Sequence, residues 1–144
     1  MLFKNILVPY DLSKPSNHAF KVAMDLAKKY GAQITVITCV EGDPWHHKYY
    51  DSRADEQLLK KQKKTAKKFL DELMEKAKKE KISIKSTIVK TESIVKELVE
   101  YSKSHKIDLI VMGSHGRTGL DKLILGSVAN GVIQRSRSPI LIVK

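Results

Sequence analysis

The sequence predicts an open α/β fold, in which parallel strands alternate with helices that cover both faces of one sheet. Two observations lead there. Apolar runs alternate five times with amphipathic or glycine-punctuated stretches along the 144 residues. Three of the runs, "ILV", "LIVM" and "ILIV", are unbroken rather than alternating with polar residues, as strands covered on both sides require. The length and the 42% apolar content suit one domain over 1–144 with a real core.

In chain order, "NILVPY" (5–10) is the first strand, with Pro9 near its end. "SKPSNHAFKVAMDLAKKYG" (13–31) is a helix with Ser13 as N-cap, Pro15 in the first turn and Gly31 as its stop. Ala19, Val22, Ala23, Leu26 and Tyr30 form its expected core stripe. "QITVITCV" (33–40) is the second strand. "EGDPWHHKYYDSRADEQ" (41–57) has no period and receives no role. Its adjacent His46 and His47 lack an obvious third ligand, so no metal site is assigned. In "LLKKQKKTAKKFLDELMEKAKKEK" (58–81), Leu59, Ala66, Leu70, Leu73 and Ala77 recur at helical spacing among lysines.

"ISIKSTIVK" (82–90) is the third strand, and Lys85 and Ser86 suit it to an exposed edge. A helix capped by Ser93 follows in "SIVKELVEYSKSH" (93–105). "DLIVMG" (108–113) is the fourth strand, "SVANGVIQRSRS" (127–138) a helix, and "PILIVK" (139–144) the fifth strand. At the opposite edge an apolar strand is an aggregation hazard unless covered. A second copy is the simplest cover, so a homodimer through Pro139–Lys144 is expected.

Several classes drop out. No apolar stretch approaches the roughly 18–20 residues of a membrane span. The opening "MLFKNILVPYD" lacks a signal pattern, so a cytoplasmic protein is expected. The single cysteine, Cys39, excludes an internal disulfide and a cysteine-rich metal site, and reads as a small buried hydrophobe. A net charge of +11 favours phosphate-bearing partners. The lysine-rich helix presents either a solvated face or a polyanion surface. Without interleaved aromatics or a recognition motif, no specific nucleic-acid partner is expected.

The segment with chemistry in it is "GSHGRTGLDKLILGS" (113–127), directly after "DLIVM". In open parallel sheets, ligands bind beyond the carboxyl ends of the strands where the strand order reverses. "PYD" (9–11) and "MGSHG" (112–116) are the expected walls of that crevice. Gly113 and Gly116 are expected to let backbone approach a ligand and to take positive φ. Gly126 and Ser127 are expected to open a helix whose free N–H groups and dipole attract an anion. Ser127 adds a hydroxyl, and Arg117 and Lys122 add positive charge. Together these describe a phosphate cradle.

Gly113-x-x-Gly116-x9-Gly126-Ser127 resembles the nucleotide-binding signature of the universal stress protein family, in its ATP-binding branch. The resemblance covers essentially the whole chain, including "ILVPYDLS", "SKPSNHAFKVAMDLA" and "GSVANGVIQRSRSPILIVK". It implies a Rossmann-like, adenine nucleotide alpha hydrolase-like fold with strand order 3-2-1-4-5 and a dimer through the fifth strand. It also implies ATP, ADP or AMP in the crevice, with or without Mg²⁺. Carried over by residue, Pro9 and Asp11 line the adenosine end, with Tyr10 also counted among the nucleotide-binding residues, and the Val40 backbone meets the adenine edge. Met112 and Gly113 lie against the ribose. His115, Gly116, Gly126, Ser127 and Val128 surround the phosphates, with Arg117 nearby. Three of these have a plain structural alternative: Asp11 as a helix-capping carboxylate, Met112 as core, His115 as an exposed turn residue. His18 and His105 receive no role.

The chain has no G-x-x-x-x-G-K-[ST] loop, and Asp121 is the only acid inside the motif. A group to place an attacking water is therefore missing from the pattern. The expectation is a nucleotide-responsive regulatory module in stress response, with an unidentified protein partner. It has no catalytic residues and no metal of its own. Slow ATP hydrolysis and polyanion binding are the alternatives. A phosphoacceptor receiver domain is disfavoured, because the third strand ends "TIVKTES" without an aspartate.

Overall fold

Each apolar run becomes a strand, and the link after each of the first four carries a helix. The computed structural model describes residues 3–41, 52–115 and 125–144. The order is β1 (Asn5–Pro9), α1 (Lys14–Tyr30), β2 (Gln33–Glu41), α2 (Ser52–Lys79), β3 (Ile84–Thr91), α3 (Ile94–Ser104), β4 (Leu109–Gly113), α4 (Ser127–Arg135) and β5 (Ile140–Val143). All neighbouring strands are parallel, in the order β3-β2-β1-β4-β5. The order reverses between β1 and β4, which pair through Ile6 with Leu109 and Leu7 with Ile110.

Alternation along β1 sends Ile6 and Val8 to one face and Leu7 to the other. α1 and α2 cover the first face through Ala19, Phe20, Ala23, Ala27, Leu70, Leu73 and Ala77. α3 and α4 cover the second through Leu98, Ala129 and Val132. Ile6, Leu7, Val8, Ile34, Val36, Ile110 and Val111 are wholly buried, which explains why the runs "ILV" of β1 and "LIVM" of β4 carry no polar residue. β3 is an edge with exposed Lys85 and Ser86, as its polar sequence indicates. β5 is the other edge, where Leu141 is 39% exposed. Among the described residues, no helix is long and apolar enough to cross a membrane.

The stripe expected on α1 is rotated. Ser16, Ala19, Phe20, Ala23, Met24 and Ala27 are buried, whereas Val22 and Leu26 are half buried. Tyr30 is 39% exposed and packs edge-on against Phe3. The small side chains Ala19, Ala23 and Ala27, four apart, form a seam that brings the helix close to the sheet. Gly31 ends α1 at φ 69°, with its N–H on the Ala27 carbonyl, as its position implied.

Candidate functional site

Parallel strands place the start of every helix at the carboxyl edge of the sheet. At the reversal between β1 and β4, that edge holds a cavity of about 280 Å³. Its walls come from the ends of β1, β2 and β4 and from the starts of α1, α3 and α4.

The β1 wall is Pro9, Tyr10 and Asp11. Tyr10 is fixed from three sides. Its N–H donates to the Ile37 carbonyl, its own carbonyl accepts from Thr38 Oγ1, and its hydroxyl donates to Asn17 Oδ1 at 2.7 Å. Burial is the main reason its hydroxyl pKa is raised, followed by the charges of Glu72 and Asp11. Asp11 is exposed, and its Oδ1 accepts the Ser13 N–H at 3.0 Å. Leu12 links them at φ 71°, a left-handed conformation that is strained for leucine. Ser13 Oγ then caps α1 by accepting the Ser16 N–H at 3.2 Å.

The floor is apolar. Ile37 and Cys39 enter from β2, Ile94 and Leu98 from α3, and Met112 from β4. Cys39 is half buried, not the fully buried hydrophobe its context suggested. Burial, reinforced by the Glu97 charge, pushes its thiol up to about 12, so it stays protonated at neutral pH. Met112 serves both readings, since it is 4% exposed in the core cluster and also lines the cavity.

The remaining wall is Gly113, Ser114 and His115 with Leu125, Gly126, Ser127, Val128 and Ala129. Its glycines act differently from expectation. Among the described glycines only Gly31 has positive φ, so Gly113 does not. A Cβ on Gly113 would lie 2.6 Å from Pro15 Cβ and 2.8 Å from the Pro15 carbonyl carbon. Gly113 is needed because the first turn of α1 presses on the end of β4. A Cβ on Gly126 would lie 2.9 Å from the Ser114 carbonyl oxygen, which accepts the Gly126 N–H at 2.7 Å. Gly126 therefore closes the neck of the segment between Ser114 and α4.

That neck sets up an open helix start. Gly126 is the N-cap of α4 and supplies no side-chain cap. Asn130 is the first residue whose N–H enters the helix ladder, bonding the Gly126 carbonyl at 2.9 Å. The N–H groups of Ser127, Val128 and Ala129 precede it, beside the cavity that these residues line. His115, whose Cα would lie 3.3 Å from a Cβ on Gly126, is half buried rather than exposed. Its Nδ1 lies 2.9 Å from Ser114 Oγ, and its Nε2 is buried with no hydrogen-bond partner.

The structure thus gathers Pro9, Tyr10, Asp11, Met112, Gly113, His115, Gly126, Ser127 and Val128 around one cavity. Val40 is not among the cavity-lining residues: alternation along β2 turns the Ile37 and Cys39 side chains to the cavity, whereas the expectation for Val40 concerned its backbone at the strand end. Gly116, Arg117, Asp121 and Lys122 lie outside the described residues, as does residue stretch 42–51 with His46 and His47. Ser114 lies inside the wall expected at 112–116, whereas the sequence reading missed Ile37, Cys39, Ile94 and Leu98. Their signals were the alternation that pairs Ile37 with Cys39 and the four-residue spacing of Ile94 and Leu98. Among the described residues, no cluster of three histidine, cysteine or carboxylate side chains forms a metal site.

A sequence model of the universal stress protein family matches residues 2–144. Universal stress protein MJ0531 of Methanocaldococcus jannaschii is 34% identical over 99% of this chain and 83% of its own length. The solved structure of hypothetical protein MJ0577, from the same organism, superposes with a TM-score of 0.89 at 26% identity, covering 100% of this chain and 97% of the other. A universal stress protein solved in complex with cAMP superposes with a TM-score of 0.71 at 25% identity, covering 99% of this chain and 98% of the other.

Proposed function

The chain belongs to the universal stress protein family, and on that premise we propose that its cavity binds an adenine nucleotide. Occupancy would make the protein a nucleotide-responsive regulatory module in stress response. The base would rest on Ile37, Cys39, Leu98 and Met112, the sugar between Asp11 and Gly113, and the phosphates at the start of α4. Any Mg²⁺ would arrive with the nucleotide.

The observation that carries this reading is the unpartnered Nε2 of His115. A buried polar atom left without a partner costs about 1–3 kcal/mol. When the Ser114 hydroxyl donates to Nδ1, Nε2 holds the ring proton and requires an acceptor. A phosphate oxygen at the α4 start supplies one and meets the N–H groups of Ser127, Val128 and Ala129 as well. We read the site as one for binding rather than turnover; Asp11 is the one carboxylate in its lining among the described residues, and the Ser13 N–H holds one of its oxygens. The apolar edge of β5 supports the pairing of two copies through Pro139–Lys144. Sedimentation at micromolar protein should give a dimer mass, and a monomer throughout would remove that part of the proposal.

Titration calorimetry with adenosine, AMP, ADP, ATP and cAMP tests the main claim. ATP should bind at least about tenfold more tightly than adenosine, as one charged hydrogen bond of about 1.5–3 kcal/mol implies. His115→Ala should lower ATP affinity about tenfold, the share of one charged hydrogen bond, while leaving adenosine affinity unchanged. Equal affinities for adenosine and ATP, or no heat at millimolar ATP, would overturn the reading.

A further inference from the structure

The lysines of α2 are unevenly placed. Lys60, Lys61, Lys63, Lys64, Lys67 and Lys68 follow one another with no acid among them. From Asp71 onward, Glu72 and Glu75 are mixed with Lys76, Lys78 and Lys79. At 100° per residue the six lysines fall in an arc of about 160°, and at 1.5 Å per residue they span about 12 Å. The arc is centred about 130° around the helix from Ala66, Leu70, Leu73 and Ala77, the buried face.

The part of α2 before Ala66 contributes little to the core. Residues 56–65 are all exposed except Leu59, which is half buried, and Leu58 is 56% exposed. The lysines are also spaced to repel. Lys60 faces Lys63 and Lys64, Lys64 faces Lys61, Lys67 and Lys68, and Lys63 faces Lys67, all three or four residues apart. Like charges at those spacings destabilise a helix. About three turns that bury almost nothing and repel themselves gain from an anion laid along them.

We infer that this face of α2 binds the phosphate backbone of duplex DNA without regard to base sequence. The helix diameter, about 10–12 Å, matches a B-form major groove about 12 Å wide. Flexible point charges suit phosphates and carry no base information. A lipid surface fits less well, because an interfacial helix sinks a continuous apolar face into the membrane, and α2 spends most of its own on the sheet, leaving only Leu58 and Phe69 of its large apolar side chains exposed. The deep, narrow major groove of A-form RNA does not admit a helix.

The test is fluorescence anisotropy of a labelled DNA duplex, titrated with the full chain across about 50–200 mM salt. Lys61→Gln/Lys63→Gln/Lys64→Gln, whose only charged neighbours three or four residues away are lysines, is compared with Lys76→Gln/Lys78→Gln/Lys79→Gln, which removes the same charge from the other half of the helix. The first variant should bind at least about tenfold more weakly, with a salt slope shallower by nearly 3, at about 0.9 for each phosphate no longer neutralised. The second should stay within about twofold of the parent. Removing repelling lysines should leave the melting temperature equal or higher, so weaker binding would not reflect unfolding. Equal losses in the two variants would reduce the effect to net charge and overturn the assignment. Tighter binding of phosphatidylserine vesicles or duplex RNA than of duplex DNA, at equal phosphate, would overturn it too.

Discussion

The helices that follow the two central strands begin in opposite ways. At the start of α1 the chain satisfies itself. Asp11 Oδ1 accepts the Ser13 N–H, Ser13 Oγ accepts the Ser16 N–H, and the Ser13 carbonyl accepts the Asn17 N–H. Pro15 has no N–H to satisfy. α3 is closed likewise, with Ser93 Oγ accepting the Lys96 N–H at 3.3 Å. At the start of α4, Gly126 has no side chain and its own N–H goes to Ser114, so the first turn is left uncapped. Of these three starts at the sheet edge, two are closed by serine and one is left open beside a cavity. An anion at such a start is stabilised by about 0.3–1 kcal/mol, and by up to about 2 when partly buried. The difference separates a residue that holds a helix together from a residue position kept free for a ligand.

Substitutions at the two starts should have opposite readouts. The largest effect is expected at Gly126→Ala, whose Cβ would press on the Ser114 oxygen at 2.9 Å and on His115 Cα at 3.3 Å. Both atoms are backbone, so the neck must open. ATP affinity by calorimetry should fall at least about tenfold, alongside about 1–3 kcal/mol of stability. Ser13→Ala, at the closed start, should cost about 1 kcal/mol by urea unfolding and leave ATP affinity within about twofold. An affinity loss as large as that of Gly126→Ala would erase the contrast.

A smaller effect sharpens a second contrast, between the anion end and the apolar floor. Cys39 is raised in the fold to about 12, against roughly 8.5 in an unfolded chain. A raised value means that the protonated thiol favours the fold. That stability is complete below about pH 8.5 and is lost as pH rises toward 12. Between about pH 8.5 and 11, the urea midpoint of the parent should fall more steeply than that of Cys39→Ala. Parallel pH profiles would mean that the thiol titrates normally, in a wetter floor.

Much of the fold could be read from the chain because its signals are local. Ser13, Gly31 and Ser93 are caps whose partners lie within a few residues, and the central strands announce themselves by their apolar runs. Gly113 shows where local reading stops. It looked like a ligand-facing glycine with positive φ, but its reason is Pro15, nearly a hundred residues earlier in the chain, brought against it by the β1–β4 pairing. The α1 stripe was misplaced for a related reason. Val22, Leu26 and Tyr30 are the more apolar choice, whereas the sheet accepts the alanine seam that lets the helix approach. At the site, the glycine-punctuated stretch pointed to the α4 start and to His115. The floor from α3 was missed because Ile94 and Leu98 resemble any core pair until the topology turns them toward β1 and β4.

The most direct test follows backbone amide ¹⁵N and ¹H shifts while ATP is added to the full chain. The amides of Ser127, Val128 and Ala129 should move most and saturate together, with those of Ser16 and Lys96, at the capped starts of α1 and α3, nearly still. Saturable ATP binding that leaves the three α4 amides in place, or moves all three helix starts equally, would contradict an open α4 start as the seat of the phosphates.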